Sequence, residues 1–583
     1  MKAFNRLIMA AVSGLALAAC TTPSATYVNW VHDTKPAEAD QYSDFLVGRY
    51  ASLTNDPALA AETFVRASAR EPEDPILLER AVFSLLLAGE ADEAVRLAQS
   101  AQKQQIELSS LSRLTLGIAE MDEGDYANAQ FILTHGDVGL FNRVVAKSIS
   151  AWAALGEGDL DAAENYLIES LVGDNVLDGV SLYMLALIQM SSGQDEAALE
   201  TFEAVWDERM RLAIACEHYV RLLAAKGEIE KALEVTSQFR EEIGLNPNVE
   251  WLTARLEAGD PIEVKRLSAR EGAAVSVYAL ATALAMETRD DVASVYFNLA
   301  LKLDPELDIA RTMLGNTLEF SERREEAVQV LKEVGVDSPF YAASQGQLAW
   351  ALLRLDRKDE AIAVAQQAYD RTGDRDLAMQ LGDLYRTTEQ YEQAFQWFDR
   401  VVKEDEANGD EDWRAYYARA IVYQELDNWG AAEIDLLRSL EIDDRQAQVL
   451  NYLGYSWVDR GENLEKAFDL IQEAVSLKPN SGYIVDSLGW AYFKLGQYDL
   501  AVLYLERAVE LTPDDPTLND HLGDAYWRVG REIEARFQWR HALALEPESD
   551  QIPLLQAKLE SGLKTPPQPV MAGGDEAFGK PKQ

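Results

Sequence analysis

The sequence predicts an all-α solenoid of about thirteen to fourteen helical hairpins stacked end to end. Three observations predict it. The landmarks of one C-terminal stretch recur 34 residues later: Leu488-Gly489 as Leu522-Gly523, Tyr492 as Tyr526, Ala501 as Ala535, Leu505 as Trp539, Ala508 as Ala542 and Pro513 as Pro547. The same ruler, carried toward the N-terminus, accounts for most of the 583 residues. No run of strand-like alternation or hairpin-turn dipeptides interrupts it.

Each landmark has a physical reason. Gly489 and Ala501 are small where two helices must cross closely, and Tyr492 and Leu505 fill the space beside them. Gly496 falls between the two helices, where a left-handed terminus favours glycine. Pro513 cannot donate to a continuing helix and ends the second one.

Following the ruler in order, Gly48, Ala60, Phe64, Ala67 and Pro72 mark a first hairpin, and Ala81, Ala94 and Ala98 a second. Leu116-Gly117, Tyr126 and Ala129 mark the third; Ala151, Leu160 and Ala163 the fourth; Leu185-Ala186, Ala198 and Phe202 the fifth. A looser sixth carries Tyr219, Leu223, Ala232 and Phe239. These form an N-terminal array over 41–246. Across 247–273 the pattern degenerates and Gly259-Asp260-Pro261 breaks a helix, which reads either as a hinge or as a divergent repeat.

A C-terminal array over 274–549 resumes with Leu280-Ala281 and Ala293, then Leu314-Gly315, Leu348-Ala349, Leu381-Gly382, Ala420, Leu453-Gly454 and the tandem pair. A polar capping helix is expected within 550–563. The Pro- and Gly-rich tail 564–583 is expected to be disordered.

The pattern Leu-Gly-xx-Tyr followed by Ala, a large residue, Ala and Pro resembles the tetratricopeptide repeat (TPR). The resemblance implies a right-handed superhelix whose first helices line an inner groove. It also implies that positions 2, 5, 9 and 12 of each repeat face that groove. On this chain those positions give Tyr417, Asn451, Tyr455, Tyr483, Asp486, Trp490, Phe493, Asp520, Asp524 and Trp527. Such a set suits an extended peptide or helix, with the three aspartates favouring a partner's lysines or arginines. The other reading is that the rings pack between adjacent repeats. The basic clamp with which some TPR domains hold a C-terminal carboxylate is missing at these positions.

Residues 1–19 begin with Lys2 and Arg6 and continue as an apolar run from Leu7, too short to span a bilayer. They end at Leu17-Ala18-Ala19-Cys20, which resembles a bacterial lipobox. That implies cleavage before Cys20 and its acylation, with residues 20–40 as a lipidated tether. Thr21, rather than Asp, after the cysteine implies the outer membrane. The layout is similar to the TPR lipoproteins of Gram-negative bacteria, among them adaptors of a periplasmic carboxyl-terminal processing protease. From that resemblance a lipid-anchored periplasmic scaffold for protein partners is expected, presenting cell-wall hydrolases to a protease. The alternative is an assembly factor for outer-membrane secretion, polysaccharide export or pilus biogenesis.

Formal net charge is −46, from 53 basic and 99 acidic residues, which disfavours nucleic acid and anionic lipid headgroups as partners. Besides Cys20 there is only Cys216, in an apolar helical stretch that marks it as a core residue. The five histidines, His32, His135, His218, His521 and His541, show no metal-ligand spacing. No nucleophile elbow, phosphate loop or dinucleotide fingerprint occurs. The expectation is therefore a protein that is not an enzyme and needs no cofactor, metal or small-molecule substrate.

Overall fold

A computed structural model describes residues 43–564, apart from 136–138, 172, 174, 208–210 and 288–289. The expected signal peptide, Cys20, the tether and all but the first residue of the tail lie outside the described residues. Among those described, the chain forms thirty α-helices and no strand, arranged as fourteen hairpins and two single helices. It is an all-α TPR solenoid.

The hairpins form for local reasons. Helix starts are set by carboxylates: Asp515 accepts from the backbone N–H of Thr517 and Leu518 at 2.8 and 2.9 Å, with Pro516 as the first helical residue. Asp74, Asp125 and Asp159 cap other helices in the same way. The turn inside the hairpin 482–511 passes through Gly496 at φ +76°. The close crossing expected at Gly489 is there: a Cβ on it would lie 2.7 Å from Leu505 Cγ. The space left by the glycine is taken by the large residue of the facing helix.

The chain divides into two compact units, the first ending at Leu377 and the second beginning at Ala378. In the second unit, the hairpins 413–442, 447–477, 482–511 and 516–544 follow one another, and every extensive contact joins helices adjacent in the chain or the first helices of successive hairpins. The single helix Gln551–Ser561 packs on Glu532–Ala544.

The first unit is built differently. Its early hairpins stack as expected, but the helices Ala269–Glu287 and Asp290–Leu303 turn back on them. They pack against Pro75–Leu87, Ser110–Glu123, Leu140–Gly156 and Asn175–Ser192, the first helices of the second to fifth hairpins. Trp152 is fully enclosed there, its Nε1 donating to Ser276 Oγ at 2.9 Å. Gly272 is what admits the indole, since a Cβ on it would stand 2.3 Å from the ring.

Polar contacts extend the closure. Tyr296 Oη donates to Asn142 Oδ1 at 2.5 Å, and Asn298 Nδ2 to the Leu86 carbonyl at 2.8 Å. The buried Arg323 donates to the Leu87 carbonyl at 2.7 Å, and Lys302 meets Asp122 at 2.9 Å. Residues 247–273, read as a hinge or a divergent repeat, lie inside this unit. They form the helix Pro247–Ala258 and a non-helical stretch leading into Ala269–Glu287. Arg266 fastens that stretch by pairing with Asp195 at 2.9 Å.

Candidate functional site on the first helices of the C-terminal hairpins

The ten groove residues read from the sequence sit on four successive first helices: Trp413–Glu425, Ala447–Arg460, Gly482–Lys494 and Pro516–Arg528. The structure brings them together in three groups.

Tyr417 is half-buried, edge-on to Tyr452 at 5.9 Å between ring centres and 6.4 Å from Trp413. Asn451 and Tyr455 on the next helix are buried, and Asn451 Oδ1 has no hydrogen-bond partner among the described residues. Burial pushes the phenols of Tyr417 and Tyr455 well above the ordinary range, and the nearby Asp486 adds to the effect on Tyr455.

The second group centres on Asp486, which is 2% exposed and accepts from His521 Nδ1 at 2.9 Å. Trp490 stacks on the His521 ring at 3.9 Å with 14° between the planes. On its own helix Trp490 also stacks with Phe493 at 4.7 Å. Burial alone would lower the His521 pKa; the Asp486 carboxylate outweighs it, and the imidazole titrates above its ordinary value. Tyr483 stands half-buried one turn away, its phenol raised by burial and then by Asp515.

The third group joins the last hairpin to the single C-terminal helix. Lys558 Nζ lies 2.7 Å from Asp520 Oδ1 and 2.8 Å from Asp524 Oδ1. Trp539 Nε1 donates to Asp524 Oδ1 at 2.9 Å. Burial and then Asp520 raise the Asp524 carboxyl above the carboxylate range, with Lys558 opposing them. Trp527 packs against Trp539 at 5.4 Å and under Gly562.

The three carboxylates read from the sequence as sockets for a partner's cations are thus each engaged by a cation or imidazole of this chain. Of the ten, those left partly open are Asp520 and the five aromatic residues Tyr417, Tyr483, Trp490, Phe493 and Trp527. Two residues that complete the site did not stand out in the sequence. His521 lies 35 positions after Asp486, one more than the repeat, so a search at equal register passes over it. Lys558 lies on a helix outside the repeats, where no ruler applies.

Among the described residues no three His, Cys, Asp or Glu side chains are placed to hold a metal ion. Cys216 is buried, and burial raises its thiol far above the reactive range. No helix among the described residues is long and apolar enough to cross a membrane.

These features define a class, a helical-repeat protein presenting aromatic residues on its first helices. The matches to known families agree. Residues 489–530 match the TPR repeat, and residues 312–376 and 347–411 match the tetratricopeptide repeat. Over those residues the hairpins are similar to tetratricopeptide repeats.

The chain is 30% identical over 203 residues to a TPR repeat-containing protein of Pseudomonas aeruginosa, covering 34% of this chain and 33% of that one. It is 27% identical over 217 residues to the cellulose synthase operon protein C of Escherichia coli, covering 37% of this chain and 17% of that one. The chain thus spans a third or less of the length of these relatives. Among solved structures, the APC/C hetero-tetramer Cut9–Hcn1 is similar over 83% of this chain and 95% of its own, at 18% identity and a TM-score of 0.39. Pseudomonas aeruginosa pilF is similar over 32% of this chain and 82% of its own, at 23% identity and a TM-score of 0.28.

Proposed function

We propose that this protein is a non-enzymatic scaffold, lipid-anchored through Cys20 at the periplasmic face of the outer membrane. It holds a protein partner on the first helices of its C-terminal hairpins. The observation that carries the reading is the difference in what covers the first helices. From the second to the fifth hairpin they are covered by the chain's own helices at 269–303. Between Trp413 and Arg528 they keep seven aromatic side chains partly open, Trp413 and Tyr423 among them. Half-exposed aromatic rings on a rigid helical frame supply contact area at low entropic cost.

Because the carboxylates there are engaged internally, the partner segment is held through apolar contacts, with acidic repulsion from the −46 chain steering away anionic competitors. Within this reading the partner is a periplasmic protease together with the cell-wall hydrolases presented to it. Tethering both to one anchored frame raises their effective concentration.

A second reading, an assembly factor for an envelope export system, is favoured by the similarity to the cellulose synthase operon protein C. Crosslinking and affinity capture from the cell envelope separate the two. Recovery of a protease or hydrolase supports the first, and recovery of export or secretion components the second. Tyr483→Ala with Phe493→Ala is expected to abolish either capture while leaving helicity unchanged. Capture that survives this double substitution overturns the proposed surface. Loss of acyl-lipid labelling in Cys20→Ala tests the anchor.

A further inference from the structure

The two ends of the described array are finished differently. At the C-terminal end, the helix Gln551–Ser561 covers the last hairpin through Lys558 and Leu555, with Leu554 open on its outer side. At the N-terminal end, the first helix, Ser43–Leu53, presents Leu46, Tyr50 and Leu53 at 61, 67 and 79% exposure. Their spacing of four and three residues puts them on one helical face.

The repeat register shows how unusual this is. In the hairpins beginning at 447, 482 and 516, the residues equivalent to Leu46 are Tyr452, Ser487 and His521, and those equivalent to Tyr50 are Ser456, Ala491 and Ala525. All six are buried. Interior hairpins therefore cover the Leu46 and Tyr50 positions, while at the Leu53 position they carry the charged Asp459, Lys494 and Arg528, none of them buried. A terminal repeat of a solenoid needs a cap or a polar surface instead. Asn55, just beyond the helix, donates to the carbonyl of Ser321, whose neighbour Phe320 is 78% exposed. Three large apolar side chains on one face at the end of an array mark a contact surface.

We propose that this face is the docking site of the chain's own segment Tyr27-Val28-Asn29-Trp30-Val31, which lies outside the described residues. The segment carries four apolar residues and no charge, in a chain otherwise rich in carboxylates. Only residues 32–42 separate it from the helix, a connection that reaches up to about 37 Å when extended. The stripe from Leu46 to Leu53 runs only about 10 Å along its helix. Docking within one chain also avoids the entropic cost of associating two molecules. The segment so placed covers the face that a preceding hairpin covers in the interior of the array. This inference does not depend on what the scaffold carries.

Amide hydrogen exchange on the full chain tests it. Residues 27–31 are expected to exchange at least about tenfold slower than an unstructured segment. The protection is expected to disappear in Tyr50→Asp, an exposed position whose substitution leaves the fold intact by circular dichroism, and equally in Trp30→Asp. Val31→Cys with Tyr50→Cys is expected to form an intramolecular disulfide on mild oxidation. Exchange of 27–31 at the unstructured rate overturns the proposal. So does protection of 46–53 that grows with concentration alongside a dimer in sedimentation, which assigns the face to a second copy. Protection of 46–53 that appears only on phosphatidylethanolamine–phosphatidylglycerol vesicles, with 27–31 unprotected, assigns it to lipid and also overturns the proposal.

Discussion

The two units use the same hairpin and obey different rules of stability. In the C-terminal unit contacts run between neighbours, and the hydrogen bonds joining its hairpins span short separations, as from Asp486 to His521. Its stability should approximate a sum of repeat and interface contributions, with fraying from the end. In the N-terminal unit Trp152 bonds a residue 124 positions away and Arg323 one 236 positions away. Helices 269–303 join four hairpins that a linear array would leave coupled only in series. That unit should unfold as one block, and fold more slowly for its long-range closure. The lesson is that a repeat sequence specifies the unit and its stacking, while a single fold-back changes the cooperativity of the whole.

The most damaging test of this contrast is Gly272→Leu. A side chain there meets the Trp152 indole, and overpacking a closed core is expected to cost the N-terminal unit more than about 3 kcal/mol. Urea unfolding followed by segment-resolved hydrogen exchange should show the whole unit shifting together while the C-terminal hairpins keep their protection. Progressive fraying from one end would break the comparison.

Trp152→Ala comes next, at about 3–5 kcal/mol from lost burial and the cavity left behind. It should also leave Ser276 without its indole donor. Again the loss should register across 75–303, not locally.

Lys558→Met should act locally. It leaves Asp520 and the buried Asp524 without their cation, at about 2–4 kcal/mol. Hydrogen exchange should show the helix Gln551–Ser561 losing protection and the hairpins before 482 unaffected.

The smallest effect is the pH dependence of the last junction. His521 has a raised pKa in the folded state, so its contribution is fully present below the unfolded value near 6.5 and is lost as pH rises through the folded value. The raised Asp524 carboxyl acts in the same direction at lower pH, as its buried charge forms. Thermal unfolding of the C-terminal unit should therefore soften above neutrality more in the wild type than in His521→Gln. Equal slopes for both would remove His521 from the account.

Much of this was legible beforehand because it is local. A glycine opposite a leucine, a proline after a helix and an aspartate before one act within a single hairpin, and a 34-residue period repeats them visibly. The candidate site was half legible. Register placed Tyr483, Trp490 and Trp527 on the right helices, since the face a residue occupies follows from its position along the helix. It did not show that Asp486, Asp520 and Asp524 would be claimed by His521 and Lys558. Those partners lie on the next hairpin and on the terminal helix, and side-chain reach across an interface is not encoded in spacing.

The fold-back was hidden for a related reason. Its trace is the run Gly272-Ala273-Ala274-Val275-Ser276-Val277, small or apolar on every face, with its counterpart at Ser148-Ile149-Ser150-Ala151-Trp152-Ala153-Ala154. A helix apolar all round must be buried on all sides, but the sequence does not say by what. Local chemistry thus determined the hairpin, its period and its stacking. Which groove stays open, and which the chain fills itself, was decided only when residues more than a hundred positions apart met in space.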